Sequence, residues 1–113
     1  MKRKKVYVCA PFGGSAEAIE RNTLLTKHRC RALYESGLEP IAPQLYYSQF
    51  LDDLNTDERK DGLSAALEWL KQCDVVYVYA DSPTVGMAAE IEYAKKHGIP
   101  IQRMSDEKKP PAM

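Results

Sequence analysis

The sequence predicts an α/β domain: a three-layer sandwich on a parallel sheet of about four strands. Three observations carry this. The runs Val6-Tyr7-Val8-Cys9-Ala10 and Val75-Val76-Tyr77-Val78-Tyr79 have the unbroken hydrophobicity of strands buried on both faces. Longer segments with helical spacing lie between the runs. Glycines stand where those segments end.

In order along the chain, the first strand is closed by Pro11 and followed by a Gly13-Gly14 turn. Ala16 to Tyr34 carries small and apolar residues at Ala16, Ile19, Thr23, Thr26, Cys30 and Leu33, which predicts a helix that Gly37 ends. Glu39 to Ala42 reads as a brief second strand. Pro43 to Asp53 mixes aromatic and polar residues without a period and reads as a loop long enough to carry function. Thr56 or Asp57 is positioned to cap the next helix, whose Leu63, Ala66, Leu67 and Leu70 form one apolar stripe. The strand Val75 to Tyr79 follows, then a turn from Ala80 to Gly86. A helix from about Met87 to Lys96 is ended by Gly98, before a last strand at Ile99 to Gln102. The order βαβαβαβ with right-handed crossovers is flavodoxin-like or Rossmann-like.

The 113 residues suit one domain, here residues 1–104, with 105–113 expected to be a disordered tail. A composition of 44% hydrophobic and 28% charged residues is globular, and 16 Lys+Arg against 16 Asp+Glu leaves no field to attract a polyanion. No polymeric nucleic-acid partner is expected. The run Lys2-Arg3-Lys4-Lys5 reads as a solvated flank of the first strand. No signal peptide or membrane-spanning stretch is expected, so the reading is a cytoplasmic protein with no membrane partner. The three cysteines, Cys9, Cys30 and Cys73, lack C-x-x-C spacing and read as small buried residues in a reducing compartment. His28 and His97 have no metal-ligand spacing, so no metal is expected.

Open sheets of this kind bind ligands beyond the carboxyl ends of their strands. That rule selects Pro11 to Ala16, Pro43 to Asp53 and Asp81 to Glu90. In the first, Pro11-Phe12-Gly13-Gly14-Ser15 brings backbone N–H groups and a helix start to an anion or sugar hydroxyl, or is a plain turn. In the third, Ser82, Thr84, Gly86 and Met87 form a polar turn ahead of Glu90, which shares the inward helix side with Met87, Ile91 and Ala94. An ionised Glu90 there is fit to attack a sugar C1′ or to stabilise an oxocarbenium-like transition state; the plainer alternative is that it complements the helix dipole. In the middle segment Tyr46, Tyr47 and Phe50 offer stacking faces and Gln44 or Gln49 an edge-reading amide, or they cover the sheet end or an interface. Arg59 is placed either to hold a phosphate or to pair with Asp52, Asp53 or Asp61. Trp69 reads as a core or dimer-contact residue.

Tyr7-Val8-Cys9-Ala10-Pro11-Phe12-Gly13-Gly14, Cys73-Asp74-Val75-Val76, and Gly86-Met87-Ala88-Ala89-Glu90-Ile91-Glu92-Tyr93-Ala94 followed by Gly98-Ile99-Pro100-Ile101 together resemble the nucleoside 2-deoxyribosyltransferase superfamily. That superfamily includes the 2′-deoxynucleoside 5′-monophosphate N-glycosidases. The resemblance runs from about Val6 to Ile101. Within the superfamily it leans to an uncharacterised bacterial and phage branch whose pattern includes Asn22, Pro40, Ala42-Pro43, Gln49 to Asp53, Arg59 and Gly62.

The resemblance implies that Glu90 is the nucleophile toward C1′, that Thr84 holds the sugar's 5′ end, that Gly13, Gly14 and Ser15 bind phosphate and sugar, and that Tyr7 stands beside the glutamate. It also implies a role for Asp74, which matches an aspartate at the start of the third strand. In one respect the sequence departs from the pattern: Ala66 stands where the hydrolases carry the aspartate that assists the leaving base. A proton would then have to come from Asp74, Asp81, Asp52, Asp53 or a second subunit. The expected function is an N-glycosyl hydrolase or transferase on a (deoxy)nucleoside or its 5′-monophosphate. The alternative is a non-catalytic sensor of a nucleotide or ADP-ribose-like ligand. No cofactor is expected, and small size together with the resemblance implies at least a homodimer.

Overall fold

The computed structural model describes residues 2–52 and 54–105. Along the chain run β1 (Lys5–Cys9), α1 (Ala16–Glu35), β2 (Glu39–Ile41), α2 (Pro43–Tyr47), α3 (Thr56–Leu70), β3 (Val75–Val78), α4 (Val85–Lys96) and β4 (Ile101–Arg103). All strand pairs are parallel, in the order β2-β1-β3-β4. This is the expected α/β sandwich, and its strand order reverses between β1 and β3.

Side chains alternate between the faces of a strand, so each central strand feeds two cores. Val6, Val8, Val75 and Tyr77 pack with Leu33 and Leu38 on the α1 face. Tyr7, Cys9, Val76 and Val78 pack with Ala66, Leu70, Met87 and Ala94 on the face covered by α3 and α4. Tyr7 and Cys9 thereby point toward α4. No helix among the described residues is long and apolar enough to cross a membrane.

Four local expectations are corrected. Pro43 to Tyr47, read as loop, is the short helix α2. Pro43 occupies its first turn, where a missing N–H costs no helical bond. The cap of α3 is Asn55, whose side chain accepts the N–H groups of Asp57 and Glu58, rather than Thr56 or Asp57. The last strand begins at Ile101, two residues later than expected. Of the two readings of Trp69, core or dimer contact, the first is removed by its 42% exposure; its indole N–H donates to the Tyr47 hydroxyl at 3.1 Å, tying α2 to α3. Of the proposed tail, residues 106–113 lie outside the described residues, as does Asp53.

Candidate active site

The segments that follow β1 and β3, one face of α3, the start of α4, and α2 line a cavity of about 70 Å³. It stands at the switch in strand order, where open parallel sheets place ligands. Glu90 is at its base. The residue is 7% exposed, yet its carboxylate lines the cavity. Helical periodicity puts it one turn after Met87 and one before Ala94, the buried face of α4.

Two side chains from β1 hold that carboxylate. The Tyr7 hydroxyl donates a hydrogen bond to Oε2, and the Cys9 thiol donates to Oε1 at 3.4 Å. Burial pushes the Glu90 carboxyl up from 4.5 to about 7, while the bonds from Tyr7 and Cys9 pull it down. Tyr7 is raised well above 10, by burial first and then by the facing Glu90 charge, so it stays a donor. The Cys9 thiol is raised for the same two reasons. Near neutrality the site therefore holds one carboxyl group balanced between its two protonation states, with two neutral donors against it.

The β1–α1 turn contributes Phe12 and Gly13 to the lining, and α2 with its C-cap contributes Gln44, Tyr47 and Ser48. α3 presents Arg59, Gly62, Leu63 and Ala66 to the same space. A Cβ built on Gly13 would fall on the Arg59 guanidinium, so glycine is what lets that cation lie against the β1–α1 turn. The next residue, Gly14, has φ +117, a left-handed conformation open to glycine at little cost. Among the described residues no carboxylate pairs with Arg59; the ion pairs are Arg31–Glu35 and Arg103–Asp81. The Gln44 amide N–H donates to the Val8 carbonyl at 3.3 Å, and its Oε1 is buried without a partner.

The structure brings together Tyr7, Phe12, Gly13, Gln44, Thr84, Gly86, Met87 and Glu90. Thr84 also caps α4, its hydroxyl accepting the Met87 N–H at 3.2 Å. Other anticipated residues lie elsewhere. Pro11 and Gly14 flank the cavity without lining it, and Ser15 is an exposed cap of α1, accepting the Ala18 N–H. Ser82 is exposed. Tyr46 and Phe50, each 58% exposed, stack edge-on with Tyr47, and only Tyr47 reaches the lining.

Of the candidate acids, none of Asp74, Asp81 and Asp52 lines the cavity with Glu90. The Asp74 carboxylate accepts the Lys5 N–H at 2.7 Å, at the amino end of β1, a strand that rises about 13 Å to its other end. Asp81 points outward to Arg103. Asp52 is exposed and accepts the Leu54 N–H. Ala66, by contrast, does line the cavity.

Sequence reasoning left out Cys9 as a partner of Glu90, and Ser48, Gly62 and Leu63 as lining. Two signals were present. Cys9 follows Tyr7 by two residues and so shares its strand face. Arg59, Gly62, Leu63 and Ala66 repeat as i, i+3, i+4, i+7, which is one helix face.

No curated protein matches the sequence. Among solved structures, a 2-deoxyribosyltransferase from the psychrotolerant bacterium Bacillus psychrosaccharolyticus is similar, with a TM-score of 0.67 at 18% identity over 89% of this chain and 72% of that one. At that identity the likeness establishes the fold. Residues 4–104 match the family described as Domain of unknown function (DUF7768), and the chain belongs to that family.

Proposed function

We propose that the chain is an N-glycosyl hydrolase or transferase acting on a (deoxy)nucleoside or its 5′-monophosphate, with Glu90 as nucleophile. One observation carries this reading: a buried carboxylate lines the switch-point cavity while a tyrosine and a cysteine on β1 fix both its oxygens. A carboxylate fixed in this way is fit to attack a glycosidic carbon. A Glu90 oxygen bonds to C1′ as the bond to the base nitrogen breaks, leaving the electron pair on the base. Water, or the nitrogen of a second base, then attacks C1′ and frees the carboxylate. Thr84 and Gly86 at the start of α4 lie where the sugar's 5′ end would rest, and Phe12, Gln44 and Tyr47 line the wall suited to the base. The cavity is smaller than the roughly 300 Å³ at which ligand pockets usually begin, so binding requires partly exposed lining side chains to swing outward.

A second reading is a non-catalytic nucleotide or ADP-ribose-like sensor. It is favoured by Ala66, because no carboxyl group but Glu90 lines the cavity among the described residues. A panel of deoxy- and ribonucleosides and their 5′-monophosphates, followed by chromatography of free base, separates the two. Base release by the wild type and its loss in Glu90→Ala supports the enzyme. A nucleotide that raises the melting temperature without base release supports the sensor. Either form is proposed to work as a homodimer or higher oligomer, which light scattering tests; a monomer at micromolar concentration contradicts it.

A further inference from the structure

In the reaction proposed above, the departing base needs help that Ala66 cannot give. The geometry points to Arg59 as the group that supplies it, by holding the base as an anion rather than protonating it. This inference rests on the Glu90 reading. In-line displacement by Glu90 sends the base away from that carboxylate, into a cavity whose lining from outside α4 includes Phe12, Gly13 and Gln44. Among the described residues Arg59 is the one cationic side chain in the lining, and its guanidinium lies on Gly13. Among the described residues no carboxylate neutralises it. Arg59 and Ala66 stand on the same face of α3 about two turns apart, and both line the cavity.

Guanidinium stays charged and gives up no proton in this pH range, but it offers a fork of N–H donors. The electron pair released as the C1′–N bond breaks spreads onto a carbonyl oxygen beside that nitrogen, where Arg59 N–H groups receive it. The base takes its proton from water after it has left, and the proton balance closes when water cleaves the glycosyl ester. The favoured substrates are therefore N-glycosides of oxo-bases that are good N–H acids, such as uracil. Bases that must be protonated before they depart, such as adenine, are disfavoured.

The test times base release from 2′-deoxyuridine, 5-fluoro-2′-deoxyuridine and 2′-deoxycytidine, each with and without a 5′-phosphate, for wild type, Arg59→Gln, Arg59→Lys and Glu90→Ala. Wild type is expected to release uracil faster than cytosine. Arg59→Gln lowers kcat on 2′-deoxyuridine by about 10²–10³-fold, the usual effect of losing a donor to developing negative charge. The loss shrinks with 5-fluorouracil, whose anion is more stable, and Arg59→Lys recovers part of the rate. A loss equal across all three bases, or confined to phosphorylated substrates, overturns the inference; the second pattern makes Arg59 a phosphate ligand. Release abolished by Glu90→Ala but untouched by Arg59→Gln overturns it while sparing the nucleophile. Release that survives Glu90→Ala, or none by wild type, removes both. Should Arg59→Gln not fold, the uracil-to-cytosine ratio of the wild type and the Arg59→Lys series carry the same test.

Discussion

Replacing Glu90 by glutamine separates the carboxylate's charge from its shape, and the consequence for stability follows from its surroundings. In the unfolded chain this carboxyl titrates near 4.5; folded, burial raises it to about 7. The folded state thus holds the proton more tightly. The stability this contributes is fully present below pH 4.5 and is lost as pH rises through 7. About 2.5 units at 1.36 kcal/mol each makes the ionised group cost about 3 kcal/mol above pH 7. Glutamine keeps the volume and accepts the Tyr7 bond without that cost. Glu90→Gln is therefore expected to gain on wild type by about 3 kcal/mol between pH 4.5 and 8, roughly 10 °C in Tm for a chain of this size. Urea and thermal melts of both proteins at pH 5 and pH 8 measure this, and taking the difference removes every other titrating group. A difference between variant and wild type that is the same at both pH values refutes the reasoning, because Glu90 would then titrate as an exposed carboxyl does.

Other outcomes follow from the same contacts. If Glu90 attacks as the carboxylate, kcat/KM for base release rises with pH through about 7. Tyr7→Phe removes a donor that favours the ionised form and moves that rise to higher pH; a profile flat from pH 5.5 to 8 in both proteins contradicts this. Gly13→Ala places a methyl group where the Arg59 guanidinium lies, at a residue that does not need positive φ. Because the far end of a flexible side chain yields, stability should change by less than about 0.5 kcal/mol. The uracil-over-cytosine preference should fall toward that of Arg59→Gln; an unchanged preference shows that the guanidinium does not act from this position.

Much of the architecture was legible because apolar runs such as Val75 to Val78 leave a buried parallel strand as the natural reading. The strand order β2-β1-β3-β4 was not legible, since nothing local in Glu39–Ile41 or Ile101–Arg103 states its neighbour. α2 was missed because its aromatics are there to pack: Tyr47 takes the Trp69 N–H and Tyr46 sits edge-on to Tyr47 and to Phe50 beyond the helix, so no apolar period develops over so short a helix. Glu90 was readable from its place on α4, and its partner Tyr7 through the resemblance. Asp74 directly precedes β3 and so sits at the amino end of the sheet, away from the carboxyl ends where ligands bind; only the resemblance drew it to the site. The Arg59–Gly13 contact joins residues far apart in the chain, and only the fold brings them together.

The claim on which the rest depends is that Glu90 bonds to the sugar. A 2′-deoxy-2′-fluoro-arabinonucleoside, whose fluorine slows release of a glycosyl ester, puts that bond within reach of intact-protein mass spectrometry. Wild type is expected to gain the mass of one fluoropentosyl group as base appears, with the gain mapping to the peptide that carries Glu90 and absent from Glu90→Gln. Base liberated while Glu90 stays unmodified, an adduct on another residue, or a wild type that neither liberates base nor gains mass contradicts it.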